Sequence, residues 1–220
     1  MTHTKKRVGI LISGRGSNMV SLIGAAREAG YPADIACVLS NRPEAAGLAK
    51  AAGEGIPALA IDHKRFATRE AFEAELDAAL RAHEVEIVAC AGFMRMMTAG
   101  FVERWHDKML NIHPSLLPAY KGLDTHARAL ADGVKLAGCT VHIVRPELDS
   151  GPIIAQAAVP VLEGDTTETL SARVLEAEHR LYPHALALLA SGAAVVDGHR
   201  VVLRKEPINQ AISLYWPPLA

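Results

Sequence analysis

The run Leu110-Asn111-Ile112-His113-Pro114-Ser115-Leu116-Leu117-Pro118 holds the residues best suited to chemistry. In an extended strand, residues two apart face the same side, so Asn111 and His113 point together. Pro114 stops the strand and leaves both side chains at its carboxyl end, the edge where open parallel sheets bind ligands. A lone histidine at a strand end is usually structural; an Asn-x-His pair followed by two rigidifying prolines favours catalysis. A working histidine needs a partner to hold its orientation, usually a carboxylate. Asp149, beside Ser150-Gly151, is the candidate, with a plain turn aspartate as the alternative.

A second constellation is Ser13-Gly14-Arg15-Gly16-Ser17-Asn18, placed where a first strand hands over to a first helix. Glycines permit the tight turn, and a helix start aims several N–H groups at an anion. Met19 stands where a dinucleotide fingerprint needs its third glycine, and Ser40-Asn41-Arg42 ends the second strand without a ribose-binding acid. The loop therefore reads either as a site for a single phosphate or as an ordinary strand-to-helix turn. Glu178 falls inside the apolar stripe formed by Leu170, Val174, Ala177, Leu181, Ala185 and Leu188. A carboxylate there either meets a ligand or basic group or reaches water from the stripe's edge. Met94-Arg95-Met96-Met97 is either a plastic apolar wall or core. No metal site is expected: His179 and His184 are five apart, and none of the ten histidines sits in an H-E-x-x-H frame.

The elements that must position these groups alternate strand and helix. Strands are predicted at Val8–Ser13, Ile35–Ser40, Ala58–Ile61, Ile87–Ala91 and Met109–His113, with helices at Ser17–Ala29, Glu44–Ala52, Thr68–His83 and Thr98–Trp105. Thr140–Val144 and Ile153–Val161 read as a strand and a returning strand. Asp165-Thr166-Thr167-Glu168 opens a long helix that Pro183 should kink or loosen. Val195–Val202 carries the Asp-Gly signal of a hairpin. The fold class is α/β: a Rossmann-like open twisted sheet, mostly parallel in the N-terminal half, with antiparallel strands added in the C-terminal half. One domain is expected over residues 1–205, with a tail at 206–220. With 23 basic residues against 24 acidic ones, net charge is −1, which gives no general electrostatic case for nucleic acid or membrane binding. Cys37, Cys90 and Cys139 form no C-x-x-C pattern and read as buried reduced thiols, which suits a cytoplasmic protein.

From about Val8 to Tyr182 the chain resembles the phosphoribosylglycinamide formyltransferases, folate-dependent enzymes of purine synthesis in the formyl-folate transferase family. The resemblance rests on I-S-G-R-G-S-N, A-G-F-M-R, L-N-I-H-P-S-L-L-P, G-L-D-T-H-A-R-A-L, E-L-D-S-G-P and A-E-H-R-L-Y-P. It implies that Arg15, Gly16, Ser17 and Asn18 hold the phosphate of glycinamide ribonucleotide and that Glu178 binds its ribose hydroxyls. Arg69, Met94, Arg95, Met96, Met97 and Asn111 would bind the co-substrate 10-formyltetrahydrofolate, with the backbone of 94–97 lining the pterin pocket. Asn111, His113 and Asp149 would be catalytic. An amine attacking the formyl carbon gives a tetrahedral oxyanion, which Asn111 and a protonated His113 can stabilise by donation. Such chemistry needs neither metal nor covalent intermediate.

Two positions depart from the family's commonest pattern. Ser150 follows Asp149 where glycine is usual, and Asp124 stands where some members have histidine; Asp124 receives no role and His126 a weak one. The implied partners are two small molecules, with a monomer or homodimer as the assembly. The alternatives are a formyltetrahydrofolate hydrolase, whose relatives generally add an N-terminal regulatory domain, and a folate- or nucleotide-binding sensor without catalysis. A methionyl-tRNA formyltransferase would require a C-terminal tRNA-binding domain, for which the sequence after residue 205 leaves no room.

Overall fold

Val8, Ile10, Leu11 and Ile12 are all fully buried, the signature of a strand covered on both faces. The computed structural model describes residues 4–204 and shows why. Val8, Ile10 and Ile12 join one apolar cluster, while Leu11 joins another on the opposite face. The chain runs β1 (Lys6–Ile12), α1 (Ser17–Ala26), β2 (Ala33–Ser40), α2 (Ala46–Gly53), β3 (Ala58–Ala60), α3 (Arg69–Ala82), β4 (Ile87–Cys90), α4 (Ala99–Arg104) and β5 (Met109–His113). It continues with α5 (Thr125–Ala131), β6 (Leu136–Ile143), β7 (Ile153–Pro160), α6 (Thr167–Ala190), β8 (Ala194–Asp197) and β9 (Arg200–Leu203).

Seven strands form one sheet in the order β3-β2-β1-β4-β5-β6-β7. The strands from β3 to β5 pair in parallel, and β6 and β7 add antiparallel pairings. This is the expected fold class. Met19, Leu22 and Ile23 of α1 and Tyr182, Ala185 and Leu186 of α6 cover one face. Phe72, Leu76 and Leu80 of α3, with Phe101 and Trp105 at α4, cover the other. Gly9 allows α3 to approach β1: a Cβ there would lie 2.5 Å from Leu80 Cδ2.

Several expectations needed adjustment. The short helix α5 follows the turn at Gly122-Leu123-Asp124, where Asp124 adopts a left-handed φ of 55°; no apolar period announces it. β6 begins four residues before the expected Thr140, because Gly138 allows β7 unusually close: a Cβ there would lie 2.0 Å from the Ala157 carbonyl oxygen. Pro183 lies inside α6, which runs on to Ala190 with Ala185 and Leu186 fully buried. The capping box is made by Thr166 and Thr169, while Asp165 pairs with Arg173. The C-terminal hairpin forms its own two-stranded sheet and turns at Gly198-His199. The expected tail at 206–220 lies outside the described residues. Cys37, Cys90 and Cys139 are buried free thiols, and burial pushes them up to about 11, 12 and 12 respectively.

Candidate active site

Strand order reverses at the β1/β4 boundary, and ligands of open α/β sheets bind in the crevice outside the carboxyl ends of such strands. The loop 13–18 leaves β1 there, and the segment 91–98 leaves β4 beside it. Gly16, with φ 69°, is the N-cap of α1; no side chain caps this end, so its first amides stay available. Gly47 of α2 closes the loop from behind by donating to the Gly14 carbonyl at 3.0 Å. A Cβ on Gly47 would lie 3.1 Å from that oxygen and 3.3 Å from Gly16 Cα. Ser17 is half-buried at the helix start, and Arg15 is exposed.

Asn18 and Glu178 resolve one open alternative. Glu178 is buried, and its carboxylate accepts from Asn18 Nδ2 at 2.7 Å; its partner is an amide, not a basic group. Burial pushes the Glu178 carboxyl above its ordinary 4.5, and the Asn18 bond opposes that rise. Asn18 Oδ1 is buried and has no hydrogen-bond partner among the described residues. One turn beyond Glu178, the Tyr182 hydroxyl donates to the Cys90 and Leu110 carbonyls at 2.9 and 3.2 Å, fixing α6 against β4 and β5.

The third group gathers at β5 and β6. His113 Nε2 lies 2.9 Å from the Tyr120 carbonyl oxygen, and His113 Nδ1 lies 3.4 Å from Asp149 Oδ2. Asp149 has a left-handed φ of 47° and accepts from the Gly122 amide at 2.9 Å, so it is a held residue and not a free turn aspartate. Ser150, the departure from the family pattern, accepts from Lys121 at 2.7 Å and thereby ties the Asp149 loop to the 120–124 loop.

His142 is the residue that sequence reasoning missed. It faces Asn111 directly across the β5/β6 ladder. Its Nε2 lies 3.3 Å from Asn111 Nδ2 and 3.7 Å from Asp149 Oδ1, so it stands between two of the anticipated residues. Burial holds His142 below its ordinary 6.5, although its bond to the Ile143 carbonyl and the Asp149 charge pull upward. The polar alternation Thr140-Val141-His142 was a usable signal, but its relation to Asn111 depends on a register no local pattern reveals. His126 is also lowered, first by burial and then by the charge of His113.

Arg69 is the first residue of α3, exposed and without an ion pair among the described residues. Phe93 and Met97 pack on the core, whereas Met94 and Met96 are 62% and 60% exposed, so segment 93–97 is part core and part open apolar wall. Among the described residues, no cluster of three or more His, Cys, Asp or Glu could hold a metal ion. No helix among them is long and apolar enough to cross a membrane.

Comparison with known proteins identifies relatives over most of the chain. The phosphoribosylglycinamide formyltransferase of Escherichia coli (strain K12) is 40% identical, over 87% of this chain and 94% of that protein. The trifunctional purine biosynthetic protein adenosine-3 of Bos taurus is 51% identical over 86% of this chain, which spans only 19% of that longer protein. A crystal structure of phosphoribosylglycinamide formyltransferase from Brucella melitensis superposes with a TM-score of 0.83 at 53% identity, covering 88% of this chain and 100% of that one. Residues 6–186, which contain every group described above, match the family of formyl transferases, and the chain belongs to that family.

Proposed function

We propose that this protein transfers the formyl group of 10-formyltetrahydrofolate to the amine of N1-(5-phosphoribosyl)glycinamide, giving formylglycinamide ribonucleotide and tetrahydrofolate in cytoplasmic purine synthesis. The observation that carries the reading is the meeting of Asn111 and His113 of β5 with Asp149 of the loop after β6, Asn111 through His142 and His113 directly. It is supported by the family membership and by the name of the Escherichia coli relative.

In this reading the exposed amides of α1 with Gly16, Ser17 and Asn18 bind the phosphate, Arg15 adds charge, and Glu178 accepts from the ribose hydroxyls. Arg69 and the segment Met94, Arg95, Met96 and Met97 receive the folate. The substrate nitrogen attacks the formyl carbon, a C–N bond forms, and the carbonyl electron pair moves to oxygen. Asn111 donates to that oxyanion. The attacking amine loses a proton as the bond from carbon to folate N10 breaks, and N10 gains one. The Tyr120 carbonyl can only accept, so His113 Nε2 carries the hydrogen of that contact. We assign His113 the role of proton carrier between the two nitrogens, with the Asp149 carboxylate beside Nδ1 to balance the charge it takes up.

Following folate deformylation with and without the ribonucleotide tests the assignment. Deformylation that requires the ribonucleotide supports transfer. Equal deformylation in its absence would establish a hydrolase, and none under either condition would leave a binding protein.

A further inference from the structure

The segment between β4 and α4 belongs to no helix or sheet. Among the described residues, the backbone groups of Arg95, Met96 and Met97 make no hydrogen bond, whereas both ends of the segment are pinned by buried side chains. At one end the Met94 amide donates to Ser13 Oγ at 2.8 Å, and Ser13 donates onward to Asn41 Oδ1 at 2.6 Å. At the other end Glu73, only 1% exposed, accepts from the Thr98 amide at 2.7 Å and also from the Thr98 hydroxyl. Glu73 has no basic partner among the described residues, and both of its hydrogen bonds come from Thr98.

We infer that Ser13 and Glu73 are positioning residues forming a two-ended clamp, which holds 94–98 taut so that its unpaired backbone edge faces the folate heterocycle. This rests on the folate assignment of 94–97 given above. Without the clamp, the segment would have to be ordered when the ligand binds, and affinity would fall by the cost of that ordering. Ser13 also begins the glycine loop, so one hydroxyl joins the two substrate-binding segments. Glu73 lies on α3, outside the segments assigned above to either substrate.

The test combines kinetics with amide hydrogen exchange. In the wild type the Met94 and Thr98 amides should exchange slowly and those of 95–97 quickly, with tetrahydrofolate protecting 95–97. Glu73→Ala should free the Thr98 amide and raise the KM for 10-formyltetrahydrofolate about tenfold, leaving kcat and the ribonucleotide KM within about threefold. Glu73→Gln retains an acceptor for the amide and a donor for the Thr98 oxygen, and should stay within about twofold of wild type. Ser13→Ala, which leaves almost no cavity, should free the Met94 amide and raise the folate KM about threefold to tenfold; it carries the test if Glu73→Ala does not fold. An unchanged folate KM in a folded variant whose amide has been freed overturns the clamp. Equal changes in kcat and both KM values overturn it too, since they would mark general damage. If tetrahydrofolate leaves 95–97 unprotected in the wild type, the folate assignment itself fails and the clamp with it.

Discussion

Asn18 Nδ2 donates to Glu178 Oε2 at 2.7 Å across a sequence gap of 160 residues, joining the first turn of α1 to the buried face of α6. The proposed phosphate loop and the proposed ribose-binding carboxylate are thus tied directly to each other. Glu178→Gln keeps one acceptor for Asn18 but loses the charge, and should raise the ribonucleotide KM about tenfold without moving the folate KM. Its effect on stability has a definite sign. The folded state holds the Glu178 proton more tightly than the unfolded chain does, so stability falls as pH rises from about 4.5 through the raised folded value. Denaturant titrations across that window should show a shallower decline in Glu178→Gln.

Ser17→Asp places a negative charge at the start of α1, where the phosphate is proposed to sit. The ribonucleotide KM should rise at least about tenfold, while tetrahydrofolate affinity stays the same. An unchanged ribonucleotide KM would remove the phosphate from this loop.

His113→Ala should lower kcat by about 10²–10⁴-fold and leave folate binding nearly intact, the pattern of a lost proton carrier. Turnover at the wild-type rate would exclude His113 from the chemistry.

His142 is held below 6.5 by burial, so unfolding at mildly acid pH takes up a proton there. Stability should fall as pH drops from about 6.5 toward the lowered folded value and be flat above it. His126 and His179 are lowered in the same direction and share the effect. His142→Gln should therefore reduce, without abolishing, the dependence of Tm on pH between 5 and 7. The same variant should lower kcat about tenfold if His142 helps hold Asn111 and Asp149.

Gly151→Ala would bring a Cβ to 1.8 Å from the Ile143 carbonyl oxygen, a backbone atom that cannot step aside alone. The expected loss is about 1–3 kcal/mol, read as a fall in Tm of about 2–4 °C per kcal/mol. Because Asp149 lies two residues away, kcat should fall as well.

The parallel half of the sheet was legible in the sequence because each strand is a short apolar run and each helix a periodic stripe, both local properties. The glycine loop and the Asn111/His113 pair were legible for the same reason, since one strand end fixes each of them. Asp149 could be named, but its distance from His113 depends on a loop anchored by Gly122 and Lys121. Glu178 could be placed on a buried face, yet its partner lies in α1 and no helical wheel contains it. The polar alternation around His142 and the glycine loop that begins at Ser13 were local signals, but the partners of His142, Ser13 and Glu73 lie far along the chain, where no local pattern reaches.

The antiparallel pairing of β6 with β5 sets Asn111 opposite His142 and His113 opposite Thr140. Two pairs that share one ladder cannot vary independently. A single residue inserted or deleted between Thr140 and His142 would turn one partner to the other side of the sheet relative to the other. A length change in the turn around Glu163-Gly164, beyond β7, would leave both pairs in place. Among descendants of this chain, gaps and insertions should therefore collect in that turn and be purged from β6, even where individual β6 side chains drift.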